Sequence, residues 1–365
     1  MKVAILHDYL NQFGGAERVL KVILEIFPEA DIYTLLYDKE KTNGLFDKNI
    51  KKTSFLDIPF VRSHHRMFIP FMPLASNLLK SKEDYDLVFS STAGYGKGFN
   101  VKGGYHISYC HTPLRYAWEI DYLKNLSFSP KELSNLIAYP IAKFMRNWDK
   151  NASKSVNLFI ANSSFIAEKI KSYYGRDAVV VNPPVNLKTF FPESDAMKKD
   201  YYLMVGRLLY YKGFDTGIAA FNRMKYPLKI VGRGPELDKL KKMVKSPNIE
   251  FITEASDKDL RKLYSNAKAL IFPQIEDFGL VAAEAEACGT PIIAYEKGGI
   301  KDIVTNKKTG LFFSEQTPEA IIEAVKDFEN MHFSRNLIAK SAERFSKENF
   351  IKNILKVMMD YGIRV

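Results

Sequence analysis

Two cations five residues apart, Arg207 and Lys212, stand in the run GRLLYYKG (206–213), which follows the apolar stretch YYLMV and precedes a helix-prone segment. A turn of that kind sets two cations beside the amides of a helix start, a ligand set for a diphosphate or a similar anion. A solvated basic turn would read the same way. Gly232-Arg233-Gly234-Pro235 is a second glycine turn after a strand. Backbone can approach a nucleotide closely there, although a plain α/β turn also fits and the dinucleotide fingerprint is incomplete. Glu276 and Glu284 lie eight residues apart, with Phe278-Gly279-Leu280 between them at a strand-to-helix boundary. Carboxylates accept from hydroxyls and amides donate to them, so the pair forms a natural clamp for a sugar. Glu286, two positions further along the helix, is expected on the surface.

The first half of the chain offers a different set. His111 follows the apolar strand YHISYC and precedes Thr112-Pro113, so its polar tip sits where a strand opens into a loop. His7 is expected just after the first strand, lining the same opening or serving a structural role. Arg115, Tyr116 and Trp118 form a polar–aromatic stretch that suits core packing or stacking on a sugar. No pair of histidines has zinc spacing and no acidic cluster reads as a metal site, so no metal is expected.

Such residues need strands and helices to hold them. KVAIL (2–6), DIYTLL (31–36), DLVFSS (86–91), YHISYC (105–110) and VNLFIAN (156–162) are short apolar runs separated by helical or glycine-bearing segments. Continuous apolar runs of this length fit a parallel sheet buried on both faces. A second series begins at YYLMV and runs through PLKIV, IEFIT and KALIF to PIIAYE (291–296), which is expected to close it. Two α/β series predict two doubly wound, Rossmann-like parallel-sheet domains facing a cleft, with ligands at the carboxyl ends of the strands. The boundary is expected after residue 187, following Pro183-Pro184, with the second domain over 188–344. The periodicity near 335–361 predicts one final helix.

Composition narrows the class of partner. The 365 residues are 46% hydrophobic and 26% charged, which excludes a disordered chain and is too much for one core. Two cysteines 178 positions apart exclude a disulfide framework and point to a cytoplasmic protein. The formal charge is +11, and the surplus leans toward the first half, where 25 basic and 18 acidic residues precede residue 191. That favours an anionic partner, but no basic–aromatic arrangement matches a nucleic-acid module. No run approaches a membrane span. RSHHRMFIPFMPLASNLLK (62–80) and NLIAYPIAKFMRNWDK (135–150) nevertheless combine cations with apolar residues, as ordinary core helices or as segments lying on an anionic membrane.

With FGGAERV (13–19), YCHTPLRYAWE (109–119), NPPVN (182–186), GRLLYYKG, GRGP and EDFGLVAAEAEACGTPIIAYEKGG (276–299) in this order, the sequence resembles the retaining GT-B glycosyltransferases of family 4 along nearly its whole length. The resemblance implies that Arg207 and Lys212 bind the donor diphosphate and stabilise the leaving group. Glu276 would face the donor sugar, near the amides of Phe278, Gly279 and Leu280, and Glu284 would hold the ribose. Gly14 and Gly15 would form a loop closing near the diphosphate, with Gly206, Gly232, Arg233 and Gly234 also on the donor side. His111 would hydrogen-bond to the transferred sugar or steady oxocarbenium charge. The last helix, about 345–365, would pack back on the first domain.

The activity implied is transfer of a hexose from a nucleoside-diphosphate sugar to a glycan or lipid-linked acceptor, without cofactor or metal. The leaving phosphate would help to deprotonate the acceptor. The segment His-Thr-Pro-Leu-Arg-Tyr-Ala-Trp is similar to that of mannosyltransferases of surface polysaccharide or lipid-linked glycan synthesis, which favours GDP-mannose. A nucleotide-sugar 2-epimerase and a non-catalytic nucleotide- or glycan-binding protein are the alternatives. The expected location is the cytoplasm, or the cytoplasmic face of a membrane.

Overall fold

The computed structural model describes residues 1–121, 131–194 and 200–363, with residues 131–137 described by backbone alone. In the first 182 residues the apolar runs form seven parallel strands: β1 (Val3–Leu10), β2 (Asp31–Tyr37), β3 (Ile50–Thr53), β4 (Tyr85–Thr92), β5 (Gly103–Cys110), β6 (Leu158–Ala161) and β7 (Ala178–Val180). Their order across the sheet is β3-β2-β1-β4-β5-β6-β7. Order reverses between β1 and β4, the place where a doubly wound sheet opens at its carboxyl end. The inner strands are buried on both faces, as continuous apolar runs require. β3 had no sequence signal because Ile-Lys-Lys-Thr is an edge strand with Lys51 and Lys52 turned to solvent.

The second sheet repeats the plan with β8 (Tyr202–Val205), β9 (Leu228–Val231), β10 (Ile249–Ile252), β11 (Leu270–Phe272), β12 (Ile292–Tyr295) and β13 (Gly310–Phe313). Its order is β10-β9-β8-β11-β12-β13, so the reversal falls between β8 and β11. PIIAYE does not close the series, because β13 pairs in register beyond it, Ile292 opposite Gly310. Gly310 is required there: a Cβ would lie 2.0 Å from the Ile292 carbonyl oxygen.

Contacts divide the chain into one unit of Met1–Asn182 joined by the segment from Ile351, and a second of Pro183–Phe350. Pro183 to Leu187 are tied to the second unit by the Val185 amide, which donates to the Phe345 carbonyl at 2.8 Å. The single helix expected over 335–361 is broken into Arg335–Ser341, a 3₁₀ turn Ala342–Phe345, and Lys347–Asp360. Phe345 turns into the core beside Phe278, Ser346 leaves helical backbone, and its Oγ accepts from the Asn349 amide at 3.1 Å to restart the helix.

Glu286 corrects the surface reading given to it above. It is fully buried, and it accepts from Ser341 Oγ at 2.8 Å and pairs with Arg344 Nη2 at 3.2 Å. The helix Leu280–Ala287 is apolar nearly all round, so a face pointing away from Glu276 still meets protein, here the segment 335–345. Burial pushes the Glu286 carboxyl up to about 7, although Arg344 and Ser341 pull the other way. A carboxyl raised in the folded state contributes stability that is fully present below its ordinary range and lost as pH rises toward about 7. Glu286→Gln should therefore melt close to the parent at about pH 5 and roughly 2–4 °C above it at about pH 8. Thermal unfolding at the two pH values checks this, and an unchanged gap would contradict it.

Candidate functional site

In the second unit the loops after β8, β9, β11 and β12 all leave the carboxyl end of one sheet, where the reversal beside β8 leaves room for a ligand. Gly206 and Gly232 meet backbone to backbone. A Cβ on Gly232, whose φ is +151°, would lie 1.9 Å from the Gly206 carbonyl oxygen. Gly234 is equally confined, with a Cβ falling 2.2 Å from the Leu208 carbonyl oxygen, and the Leu208 amide donates to the Arg233 carbonyl at 2.8 Å. The glycines of the second turn thus support the first turn by close packing. Arg233 itself is engaged elsewhere: its Nε donates to the Thr253 carbonyl at 2.8 Å and its Nη2 pairs with Glu254.

Lys212 and Glu276, from the loops after the adjacent strands β8 and β11, form an ion pair in which each side chain is less than one-fifth exposed. Arg207 is exposed and has no hydrogen-bond or ion-pair partner among the described residues. Glu276 is fixed by its own backbone, whose carbonyl accepts from the Gly299 amide at 2.9 Å. The loop after β12 can lie there only because Gly298 and Gly299 lack side chains, since a Cβ would fall 2.6 Å from the Glu276 carbonyl and 2.3 Å from that of Asp277. Sequence reading missed this role, although the adjacent glycines in EKGG carried the signal. Gly279, with φ +106°, caps the helix that begins at Leu280. Phe278 anchors that turn in the core, and the amides of Phe278, Gly279 and Leu280 donate to no protein group among the described residues. Glu284 is half-buried one turn later, with Tyr264 Oη 3.4 Å from its carboxylate. The combined surface offers a free guanidinium, an ammonium already facing a carboxylate, and a helix start, groups that together suit an anion joined to a hydroxyl-rich ligand.

In the first unit His111 is half-buried just past β5. Its Nε2 lies 2.9 Å from Ser91 Oγ, its ring packs edge-on against Tyr109, and its carbonyl accepts from Asn162 Nδ2 at 2.9 Å. Ser91 was missed, and the paired serines ending the apolar run DLVFSS were the signal. Asp8 ties the reversal point together, accepting from Thr92 Oγ1 at 2.7 Å and from the amides of Ala93 at 2.6 Å and Gly96 at 2.5 Å.

His7 is not beyond the first strand, because β1 continues to Leu10. It is buried 3.9 Å from Glu17, whose carboxylate accepts from the Gly14 amide at 2.7 Å at the start of the helix Gly15–Ile26. Burial works to raise the Glu17 carboxyl, but His7 and the Gly14 amide outweigh it and hold the carboxyl below its ordinary range. Trp118 stacks on Tyr173 at 4.3 Å between ring centroids, and its Nε1 donates to Asp149 at 2.8 Å. One face of the indole is therefore covered by protein. Asp149 in turn forms a fully buried pair with Lys97 at 2.5 Å and accepts from Tyr174 at 2.7 Å. Arg115 and Tyr116 are half-buried on the same short helix, Arg115–Trp118. Among the described residues no group of three or more His, Cys, Asp or Glu could hold a metal ion, and no helix is long and apolar enough to cross a membrane.

Two families match adjoining parts of the chain: Glycosyltransferase Family 4 over residues 13–189 and Glycosyl transferases group 1 over residues 187–349. An O-antigen chain mannosyltransferase C of Escherichia coli is 23% identical over 94% of this chain and 92% of its own. An uncharacterised glycosyltransferase of Methanocaldococcus jannaschii is 27% identical over 56% of this chain. The match spans 58% of that relative and 45% of a second from the same organism, about half the length of each. Among solved structures, the lipopolysaccharide outer core galactosyltransferase WaaB in its apo form aligns over 99% of this chain and 100% of its own, with TM-score 0.70 and 18% identity. Anabaena HepE in complex with UDP and glucose aligns over 98% and 99%, with TM-score 0.68 and 16% identity. These two likenesses establish the fold.

The close approach of Gly206 and Gly232 sets a steep cost on any side chain at position 232. Gly232→Ala should lose about 3 kcal/mol or more of stability or fail to fold. Gly175→Ala, at a helix end with φ +68° and no atom within 4 Å of a Cβ, should lose only about 1 kcal/mol. Denaturant unfolding of the two variants tests the difference, and equal losses would remove the packing role assigned to Gly232.

Proposed function

The chain belongs to the GT-B glycosyltransferases, with a family 4 domain followed by a group 1 domain, and from that membership we propose that it is a retaining hexosyltransferase using a nucleoside-diphosphate sugar. The acceptor in this reading is a glycan or lipid-linked hydroxyl, and the donor is GDP-mannose. The single observation that carries it is the Lys212–Glu276 ion pair at the strand-order reversal, flanked by the exposed Arg207 and the amides of 278–280. Support for mannose comes from the segment 111–118 and from the near-full-length match to an O-antigen chain mannosyltransferase. The protein would work at the cytoplasmic face of a membrane, where lipid-linked acceptors are held.

The pair is suited to a reaction in which charge grows on a leaving diphosphate. In the free protein Glu276 neutralises Lys212, so the ammonium is held in place without a bound anion. As the bond from sugar to phosphate breaks, negative charge develops on phosphate oxygen, where Lys212 and Arg207 would stabilise it more than they stabilise the intact donor. Glu276 would then face the sugar, which gains positive charge in the same step. The family resemblance assigns His111 to the transferred sugar, and Ser91 Oγ, 2.9 Å from Nε2, occupies that nitrogen and fixes the ring.

Glu276→Ala should lower turnover about 100-fold or more while nucleoside-diphosphate affinity holds or rises, because the variant frees Lys212 from its carboxylate. Lys212→Ala should weaken both. Paired steady-state kinetics and nucleotide titration, with donors screened first by slow hydrolysis of GDP-mannose, UDP-glucose and UDP-galactose, test the reading. A Glu276 variant that loses binding but not turnover would overturn the role given to it, and hydrolysis only of a UDP-sugar would overturn the choice of mannose.

A further inference from the structure

The first unit carries an apolar surface that the transfer chemistry does not use. Phe71, Leu74 and Leu78 are each more than half exposed, and they follow one another at helical spacing along the 3₁₀ turn His65–Phe71 and the helix Met72–Leu78. Phe60 and Met67 lead into them, with Phe60 edge-on to Phe68 and Phe68 beside Phe71. The helix Lys131–Ser153 lies next to these elements and presents Tyr139 and Phe144, also more than half exposed. The two segments share a core, where Ile69, Met72 and Ala75 pack with Ala138, Ala142 and Met145. They are tied at the surface by Trp148 Nε1, which donates to Asn77 Oδ1 at 2.9 Å. Single exposed apolar residues need no explanation, but their concentration on two neighbouring elements marks an interaction surface.

Charge identifies the partner. The chain has 42 acidic residues, yet none falls between residues 58 and 82 or between 133 and 148. Those stretches do contain Arg62, Arg66, Lys80, Lys82, Lys143 and Arg146. Arg66 and Lys143 are exposed and have no ion-pair partner among the described residues. A surface that docks a second copy of this cationic chain does not gain from excluding carboxylates, since like charges would then face each other. A bilayer rich in anionic headgroups does, since each cation near it gains about 1 kcal/mol and each carboxylate is repelled. Apolar groups that reach past the headgroups add the remaining attraction.

We propose that the surface formed by residues 60–80 and 139–147 docks the first unit on an anionic lipid bilayer. For its purpose the inference rests on the lipid-linked-acceptor reading, since docking would hold the protein where such an acceptor is anchored. Its physical basis is independent of donor and acceptor.

The test is flotation with vesicles of phosphatidylglycerol and phosphatidylcholine, or of phosphatidylcholine alone, without nucleotide sugar. Binding should require the anionic lipid and weaken with salt. Leu74→Glu with Leu78→Glu should lower the partition coefficient about tenfold or more, and Arg66→Glu with Lys143→Glu should do so on anionic vesicles. Unchanged melting temperature and donor hydrolysis would show that both variants are folded. Failure of the parent to bind anionic vesicles would overturn the proposal, as would parental binding by both variants. A parent dimer that Leu74→Glu with Leu78→Glu converts to monomer, without vesicle binding, would assign the surface to a second copy and overturn it as well. Donor hydrolysis without vesicle binding defeats only the membrane inference, whereas vesicle binding without hydrolysis of any nucleotide sugar defeats only the functional reading.

Discussion

Close backbone approach at the carboxyl end of the second sheet is the constraint on which the site depends. Four loops leave neighbouring strands there, and they fit only where side chains are missing. Gly232 abuts Gly206, Gly234 abuts Leu208, and Gly298 and Gly299 abut the backbone of Glu276 and Asp277. Each contact removes freedom from a residue of the candidate site. The first two fix the turn that carries Arg207, and the last fixes Glu276 opposite Lys212. In the proposed reaction a carboxylate and an ammonium held by rigid backbone would need little reorganisation as charge moves between a sugar and a phosphate, which is the condition for electrostatic catalysis.

The two units solve the same topological problem with different chemistry. Both sheets reverse their strand order beside the first strand. In the second unit the opening is lined by cations and free amides. In the first it is closed by hydrogen bonds, with Asp8 gathering Thr92, Ala93 and Gly96 and with Ser91 meeting His111. Behind His111, the buried Lys97–Asp149 pair joins Trp118 and Tyr174 into one network. Buried ions of this kind require every partner to be in place, so they specify a geometry more than they add stability. Trp118 is best understood within that network.

The net charge of +11 is divided accordingly. Little of it lies at the candidate site of the second unit: Lys212 is paired and Arg207 is the exposed cation of that turn. The acid-free stretches of the first unit hold much of the imbalance, next to exposed aromatic and aliphatic side chains.

The sequence by itself determined the parallel α/β architecture, because runs such as VAIL (3–6) and ALIF (269–272) are apolar at every position and can only be buried on both faces. It also placed the candidate site residues along the chain, since glycine turns after strands and carboxylates at a helix start are local features. Edge and terminal elements escaped it: β3 is half lysine, and the break at Ser346 depends on Phe345 finding a core beside Phe278. Partners were decided only by the tertiary structure. Lys212 meets Glu276 because β8 and β11 are neighbours, an order that no local pattern encodes. Glu286 is buried and Trp118 stacks on Tyr173 for the same reason. Periodicity says which way a side chain points on its own element, but what it meets there depends on elements that arrive from distant parts of the chain.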